Sequence, residues 1–235
     1  MSLVNAVVCK YCQKEFRRES TLLAHICEAK RRHQQRDETG VQFGYRAYIQ
    51  FYETTQGSAK LKTYEDFAAS PYYLAFVRYG RYLVSIRVIN STSFTAWLLK
   101  NNKKLDYWCS DKLYEEWLLD YLRRENAEDA LERGLEEMRN YAESFREVDG
   151  SCDFDFSDYF RRGNSNRICQ HIVSGRISPW IIYNCDSGVS WLADLSPALL
   201  SLIMAYIDPD YWSRRLQDFL GDTEWSKHIL SQAGL

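Results

Sequence analysis

The chain has 235 residues, 46% apolar and 26% charged, with a formal net charge of −2; that length can bury one large core or two smaller ones, while a total so near neutrality names no partner by itself. Its longest apolar run, LSPALLSLIMAYI at 195–207, is broken by Ser196 and Pro197 and is too short to cross a bilayer, so a core helix is expected there and no membrane span. Seven cysteines, an odd number, follow an opening MSLVNAVV with no long apolar leader, and the expectation is free thiols and metal ligands in the cytoplasm rather than disulfides.

The first element is VCKYCQKEFRRESTLLAHIC, residues 8–27, in which Cys9, Cys12, Phe16, Leu22 and His25 fall at the spacing C-x2-C-x3-F-x5-L-x2-H. In this register the stretch resembles the C2H2 zinc-finger family. The resemblance implies a ββα-like unit with both cysteines on a hairpin, Phe16 and Leu22 as its small core and His25 on the helix. It also implies Zn2+ as the cofactor without which so small a core does not fold. The fourth ligand departs from the family pattern, because Ala29, Lys30 and Arg31 stand where a second His or Cys is expected. Cys27 is near and His33 is distant. Residues two apart on an ideal helix diverge by about 200°, so His25 and Cys27 share a metal only if the helix ends or loosens near His25. The expected ligand set is Cys9, Cys12, His25 and Cys27, with His33 as the alternative to Cys27.

The family resemblance also implies that side chains near the helix start face nucleic acid. Here those include Arg17 and Arg18, and Lys30, Arg31 and Arg32 follow within EAKRRHQQR. Arginine can pair guanine bidentately and a basic run can neutralise phosphate. One finger covers only about three base pairs, so a purely structural or protein-binding finger stands beside the nucleic-acid reading.

Helices are then expected at about 41–54 and 63–69. Ser70-Pro71 places a capping side chain before a proline, and Tyr72, Tyr73, Phe76, Tyr79, Leu83 and Ile86 follow at helical spacing. Residues 67–105 hold six cations, Arg78, Arg81, Arg87, Lys100, Lys103 and Lys104, and no acid. With Tyr72, Tyr73, Tyr79 and Tyr82 among them, they are candidate phosphate and stacking contacts. The competing reading makes the tyrosines core and the arginines a solvated face. Helices are also expected at 92–101, 110–123 and 125–146. Residues 106–160 carry seventeen acids against six cations, and Trp117, Leu118, Tyr121, Leu122, Leu131, Leu135 and Met138 are expected to face inward with the carboxylates outward.

The Gly-, Ser-, Asn- and Asp-rich stretch at 148–167 reads as a boundary or long loop. Beyond it, SPWIIYNCDSG is expected to hold a short strand at 180–183 and a turn at Asp186-Ser187-Gly188. Ser196-Pro197 and Asp208-Pro209 announce further helix starts, with more helix at 211–220 and 223–232. Cys109, Cys152, Cys169 and Cys185 lack paired spacing, although His171 lies close to Cys169.

The fold expected is mainly α: a ββα-like zinc finger with a basic helical extension (1–36), an α-helical domain (37–147) and a smaller, mostly helical C-terminal domain (148–235). No glycine-rich phosphate loop, nucleophile elbow or metalloprotease signature is present, so no catalytic residue is assigned. A nuclease reading on Asp153, Asp155 and Asp158 ranks below the rest. The chain also looks like small zinc-finger proteins of large tailed bacteriophages, which implies a setting in viral replication, transcription or packaging and the host cytoplasm. The expected function is nucleic-acid binding, most simply DNA, with a protein partner met through the acidic helices or the C-terminal third. The alternative is an assembly or adaptor protein whose zinc is architectural.

Overall fold

A computed structural model describes residues 6–57, 62–146 and 153–235. The protein is mainly α, with fifteen α-helices and one two-stranded sheet among the described residues. Strands β1 (Val7–Val8) and β2 (Glu15–Phe16) are antiparallel, with Val7 opposite Phe16. Then come α1 (Glu19–Ala24), α2 (Glu28–Gln34), α3 (Thr39–Gln56), α4 (Tyr64–Ala69), α5 (Tyr73–Ser85), α6 (Ser91–Lys100), α7 (Asp111–Arg124) and α8 (Ala127–Glu143). After residue 153 follow α9 (Tyr159–Arg162), α10 (Ser165–Val173), α11 (Pro179–Ile182), α12 (Asp186–Ala193), α13 (Pro197–Ile207), α14 (Pro209–Asp218) and α15 (Leu220–Gln232). Two compact units emerge, Met1–Tyr114 and Glu115–Leu235, with the division inside α7.

The first unit is organised by α3 against α5. Small residues on facing surfaces let two backbones approach closely, and here Gly40 and Gly44 of α3 meet Gly80 of α5. A Cβ on Gly44 would stand 2.5 Å from the Phe76 carbonyl oxygen, and one on Gly80 would run into the Gly40 carbonyl. Around this contact the aromatic residues turn inward: Tyr48, Phe67, Tyr73, Phe76, Tyr79, Phe94 and Trp108 are all buried. Two of their polar ends find partners, as buried phenols and indoles prefer. Tyr79 Oη lies 3.0 Å from Thr95 Oγ1, and the Trp108 indole donates to the Lys103 carbonyl at 2.9 Å. Helix α4 starts with a reciprocal capping box between Thr63 and Asp66. Ser70 receives the Tyr72 N–H at 3.1 Å, so the Ser-Pro signal forms the turn before α5 rather than its first residue.

In the second unit α8 buries Leu131, Leu135 and Met138, as its periodicity requires, and Trp117, Leu118 and Leu122 of α7 are buried as well, whereas Tyr121 is half-exposed. The Trp180 and Trp212 rings meet edge to face with centroids 5.8 Å apart, and the Arg215 guanidinium lies 5.5 Å from the Trp180 centroid. Glu125, its side chain only 1% exposed, pairs with Arg133 at 2.7 Å. Ser196 and Asp208 cap α13 and α14 as their Ser-Pro and Asp-Pro dipeptides predict.

Three expectations are corrected. Residues 179–182 form α11, not a strand: Ser178 accepts the Trp180 N–H and Pro179 occupies the first turn, the same start signal as elsewhere, on a helix too short to display a period. Asp186-Ser187-Gly188 is the first turn of α12 rather than a hairpin turn. Helix α13 buries Ile203, Tyr206 and Ile207 but leaves Leu202 46% and Met204 38% exposed, so this most apolar run is only half core. Among the described residues no helix is long and apolar enough to cross a membrane.

Candidate metal centre

The hairpin turn brings the first two cysteines together. The Cys9 N–H bonds the Lys14 carbonyl at 2.9 Å, the Gln13 N–H bonds the Cys9 carbonyl at 2.8 Å, and Gln13 adopts a left-handed φ of 60° to close the loop. Phe16, one strand away, lays its ring 4.7 Å from that of His25, and Leu22 is half-buried beneath. Helix α1 then stops. His25 has ψ of 122°, outside the helical region, and Cys27, at φ −116° and ψ 163°, is the cap from which α2 begins. This break removes the angular divergence that a continuous helix would impose between His25 and Cys27.

The result is one group, Cys9, Cys12, His25 and Cys27, whose ligand atoms all lie within 4.8 Å of one another. Cys12 Sγ and His25 Nε2 are 3.3 Å apart. Tetrahedral zinc with Zn–S of about 2.3 Å and Zn–N of about 2.0–2.1 Å sets its ligands roughly 3.5–3.8 Å apart, so the four residues stand close enough to hold a metal ion, and three thiols with one imidazole form a donor set that zinc accepts. The N–H groups of Cys12 and Tyr11 aim at the Cys9 sulfur and hold that thiol below its ordinary value, against the effect of burial. At Cys12 the Lys14 N–H pulls the same way, but desolvation and the neighbouring Cys27 and Cys9 sulfurs outweigh it, and the thiol sits above its ordinary value. The Cys27 sulfur accepts the Lys30 N–H at 3.4 Å, and Lys30 Nζ returns to the His25 carbonyl at 3.1 Å.

His33, the alternative fourth ligand, is elsewhere. Its ring wedges between Tyr11, at 5.0 Å, and Tyr64, at 5.9 Å. Beside it the Arg32 guanidinium lies 4.5 Å from the Tyr73 centroid and donates to the Ala68 carbonyl at 2.7 Å, while Tyr64 Oη donates to the Arg32 carbonyl at 2.6 Å. The finger is thereby fastened to α4 and α5 through α2. Spacing could not reveal this, because it depends on which tyrosines α4 and α5 turn toward α2.

The basic candidates divide by environment. Arg17, Arg18, Arg87, Lys100 and Lys104 are exposed, and so is Arg78, which reaches the Asp106 carbonyl at 3.5 Å and neighbours the Cys109 thiol. Arg31 and Arg32 both pair with Glu28, and Arg81 closes a fork on Glu38 at 2.6 and 2.8 Å. Lys30 is half-buried, and Lys103 sits 5.7 Å from the Trp97 centroid. The acid-free segment is thus partly neutralised by an acid from outside it. Of the four tyrosines proposed as a stacking platform, Tyr73 and Tyr79 are core, Tyr82 is half-buried with its hydroxyl on Asp111, and only Tyr72, 53% exposed, is open.

Cys169 and Cys185 are buried and Cys109 is half-buried; Cys152 lies outside the described residues. His171 bonds Tyr159 Oη through Nδ1 at 2.7 Å and joins no metal group with Cys169 among the described residues. Asp155 and Asp158 form a reciprocal cap on the turn at 156–158, and Arg162 pairs with Asp158. Comparison of the chain with protein-family models, curated proteins and solved structures finds no match, so the zinc-finger resemblance rests on the residues of the finger.

Proposed function

We propose that this protein binds nucleic acid through a basic surface of its first unit, as an accessory factor in replication, transcription or packaging, with zinc holding the finger in shape. The observation that carries the reading is the convergence of Cys9, Cys12, His25 and Cys27 on a segment that leaves Arg17 and Arg18 exposed with no acid paired to them among the described residues. Bound zinc would supply a redox-silent cross-link between hairpin and helix. The chain's own residues do the rest: the cap at Cys27 starts α2, Arg32 and His33 anchor it, and Arg17, Arg18, Arg78, Arg87, Lys100 and Lys104 are free to meet phosphate. A few such contacts give sequence-tolerant affinity that weakens steeply with salt.

Titration of a labelled oligonucleotide into the zinc-loaded protein at low and moderate salt tests this. Binding is expected to fall about tenfold or more across that range, and Arg17→Glu with Arg18→Glu is expected to weaken it at every salt concentration. Undiminished binding in that variant, or none in the parent, overturns the reading. A second reading, an adaptor with architectural zinc, is favoured by the exposed apolar side chains Leu202, Leu220 and Trp225 of the second unit; salt-insensitive capture of a protein with no nucleic acid would select it.

A further inference from the structure

Beside the metal group the finger carries an open groove of about 340 Å³. Val8, Leu22 and Leu23 make it largely apolar, and Cys9, Tyr11, Lys10 and Lys30 complete a lining that holds no carboxylate; the Lys10 ammonium lies 4.9 Å from the Tyr11 centroid, and Lys30 Nζ, on the His25 carbonyl, has two further donors. Val8 is 44% and Leu23 72% exposed, far more than side chains that serve only a finger's core. Tyr11 packs against the His33 ring, with centroids 5.0 Å apart. Between Cys9 and Arg32 the sequence holds seven cations against three acids, so the groove lies in a positive field.

We propose that this groove takes one unpaired base of a single-stranded nucleic acid, with the flanking phosphates on Lys10 and Lys30. This rests on the nucleic-acid reading above and narrows it. A base offers a flat, weakly polar face between two negative charges, and the groove lines apolar side chains together with two positive ones. Stacked bases of a duplex present only their edges and cannot enter without being extruded. The finger is also poorly made for a duplex groove: α1 has six residues, about 9 Å of helix, and exposes Glu19, Leu23 and Ala24 alongside its short polar residues. An amphipathic helical peptide, the other ligand for a basic apolar groove, anchors side chains at i, i+4 and i+7 over about 10 Å, whereas the apolar lining here comes from three side chains, Val8, Leu22 and Leu23.

The test uses the full zinc-loaded chain and three labelled probes of equal length: a thymidine single strand, its duplex, and an abasic single strand with the same phosphates. The expected order has the single strand bound at least fivefold more tightly than the abasic strand and the duplex, in keeping with about 1–3 kcal/mol for each stacked base. Leu23→Ser, at an exposed position, is expected to erase the difference between base-bearing and abasic strands while leaving the salt dependence unchanged. Equal affinity of the parent for the thymidine and abasic strands overturns the base site and leaves the nucleic-acid reading standing. Absence of binding to all three overturns both. An acidic amphipathic peptide that binds the parent and not Leu23→Ser, while base discrimination persists in that variant, also overturns the proposal and assigns the groove to protein.

Discussion

Gly80 of α5 lies against Gly40 of α3 so closely that the missing side chain is a condition of the contact. Gly80→Ala therefore forces the two backbones apart, and overpacking of this kind costs typically 1–3 kcal/mol. Chemical denaturation followed by circular dichroism is expected to show a lower midpoint for Gly80→Ala. Gly221→Ala serves as the control, because Gly221 lies within α15 with an ordinary helical φ and nothing within reach of its Cβ; it is expected to leave the midpoint unchanged or raise it slightly.

The fourth ligand is separable by metal analysis. Cys27→Ser is expected to lose bound metal in atomic spectroscopy of the purified protein, whereas His33→Ala retains it. His33→Ala is nevertheless expected to lose stability, by about 1 kcal/mol, because its ring packs between Tyr11 and Tyr64. Retention of metal by Cys27→Ser with loss from His33→Ala would reverse the assignment.

Arg81 and Glu38 give a prediction with an unexpected sign. The guanidinium beside Glu38 holds its carboxyl below the usual range, so the pair contributes stability above the unfolded carboxyl's pKa, and this is lost as pH falls through the lower folded value. Both side chains are more than a third exposed, which limits the contribution to about 0.5 kcal/mol. Glu38→Gln is thus slightly less stable at neutral pH, and the deficit closes in acid. It also frees a cation, so its nucleic-acid affinity is expected to rise and the slope of log K against log salt to steepen by about 0.9, the share of one phosphate. A flat or weakened response places Arg81 outside the binding surface.

Glu125 and Arg133 form the most enclosed ion pair among the described residues. Burial pushes the Glu125 carboxyl above its ordinary range against the pull of Arg133. A raised folded value favours the folded state in acid, and that advantage is lost as pH rises through it. Arg133→Met removes the compensating cation and is expected to cost about 3–5 kcal/mol at neutral pH. Adding Glu125→Gln should recover much of this loss, and so should lowering the pH in the single variant. Equal loss in the single and double variants would show that the arginine acts by packing alone.

The parts legible in the sequence were those carried by local rules. Five residues in register announced the metal group, the required helix break near His25 was deducible from angular spacing, and Ser-Pro and Asp-Pro marked α13 and α14. What stayed hidden depends on partners distant along the chain. Glu38 precedes the acid-free segment and still neutralises one of its arginines. Tyr73 and Tyr79 look like a stacking platform until Arg32 and Thr95 are seen against them. Gly40, Gly44 and Gly80 read as scattered glycines until α3 and α5 are laid together. Helix α11, with four residues, shows no periodicity at all, and only its Ser178-Pro179 start distinguishes it from a strand.

Cys27 has two duties, closing the sulfur cluster and launching the helix whose next turn seats Arg32 on Tyr73. Once an ion binds there, its occupancy and the attachment of the amino-terminal knuckle to the aromatic body become one equilibrium. Loss of the ion would then loosen the seat of Arg32 on Tyr73, at a distance from the sulfurs themselves.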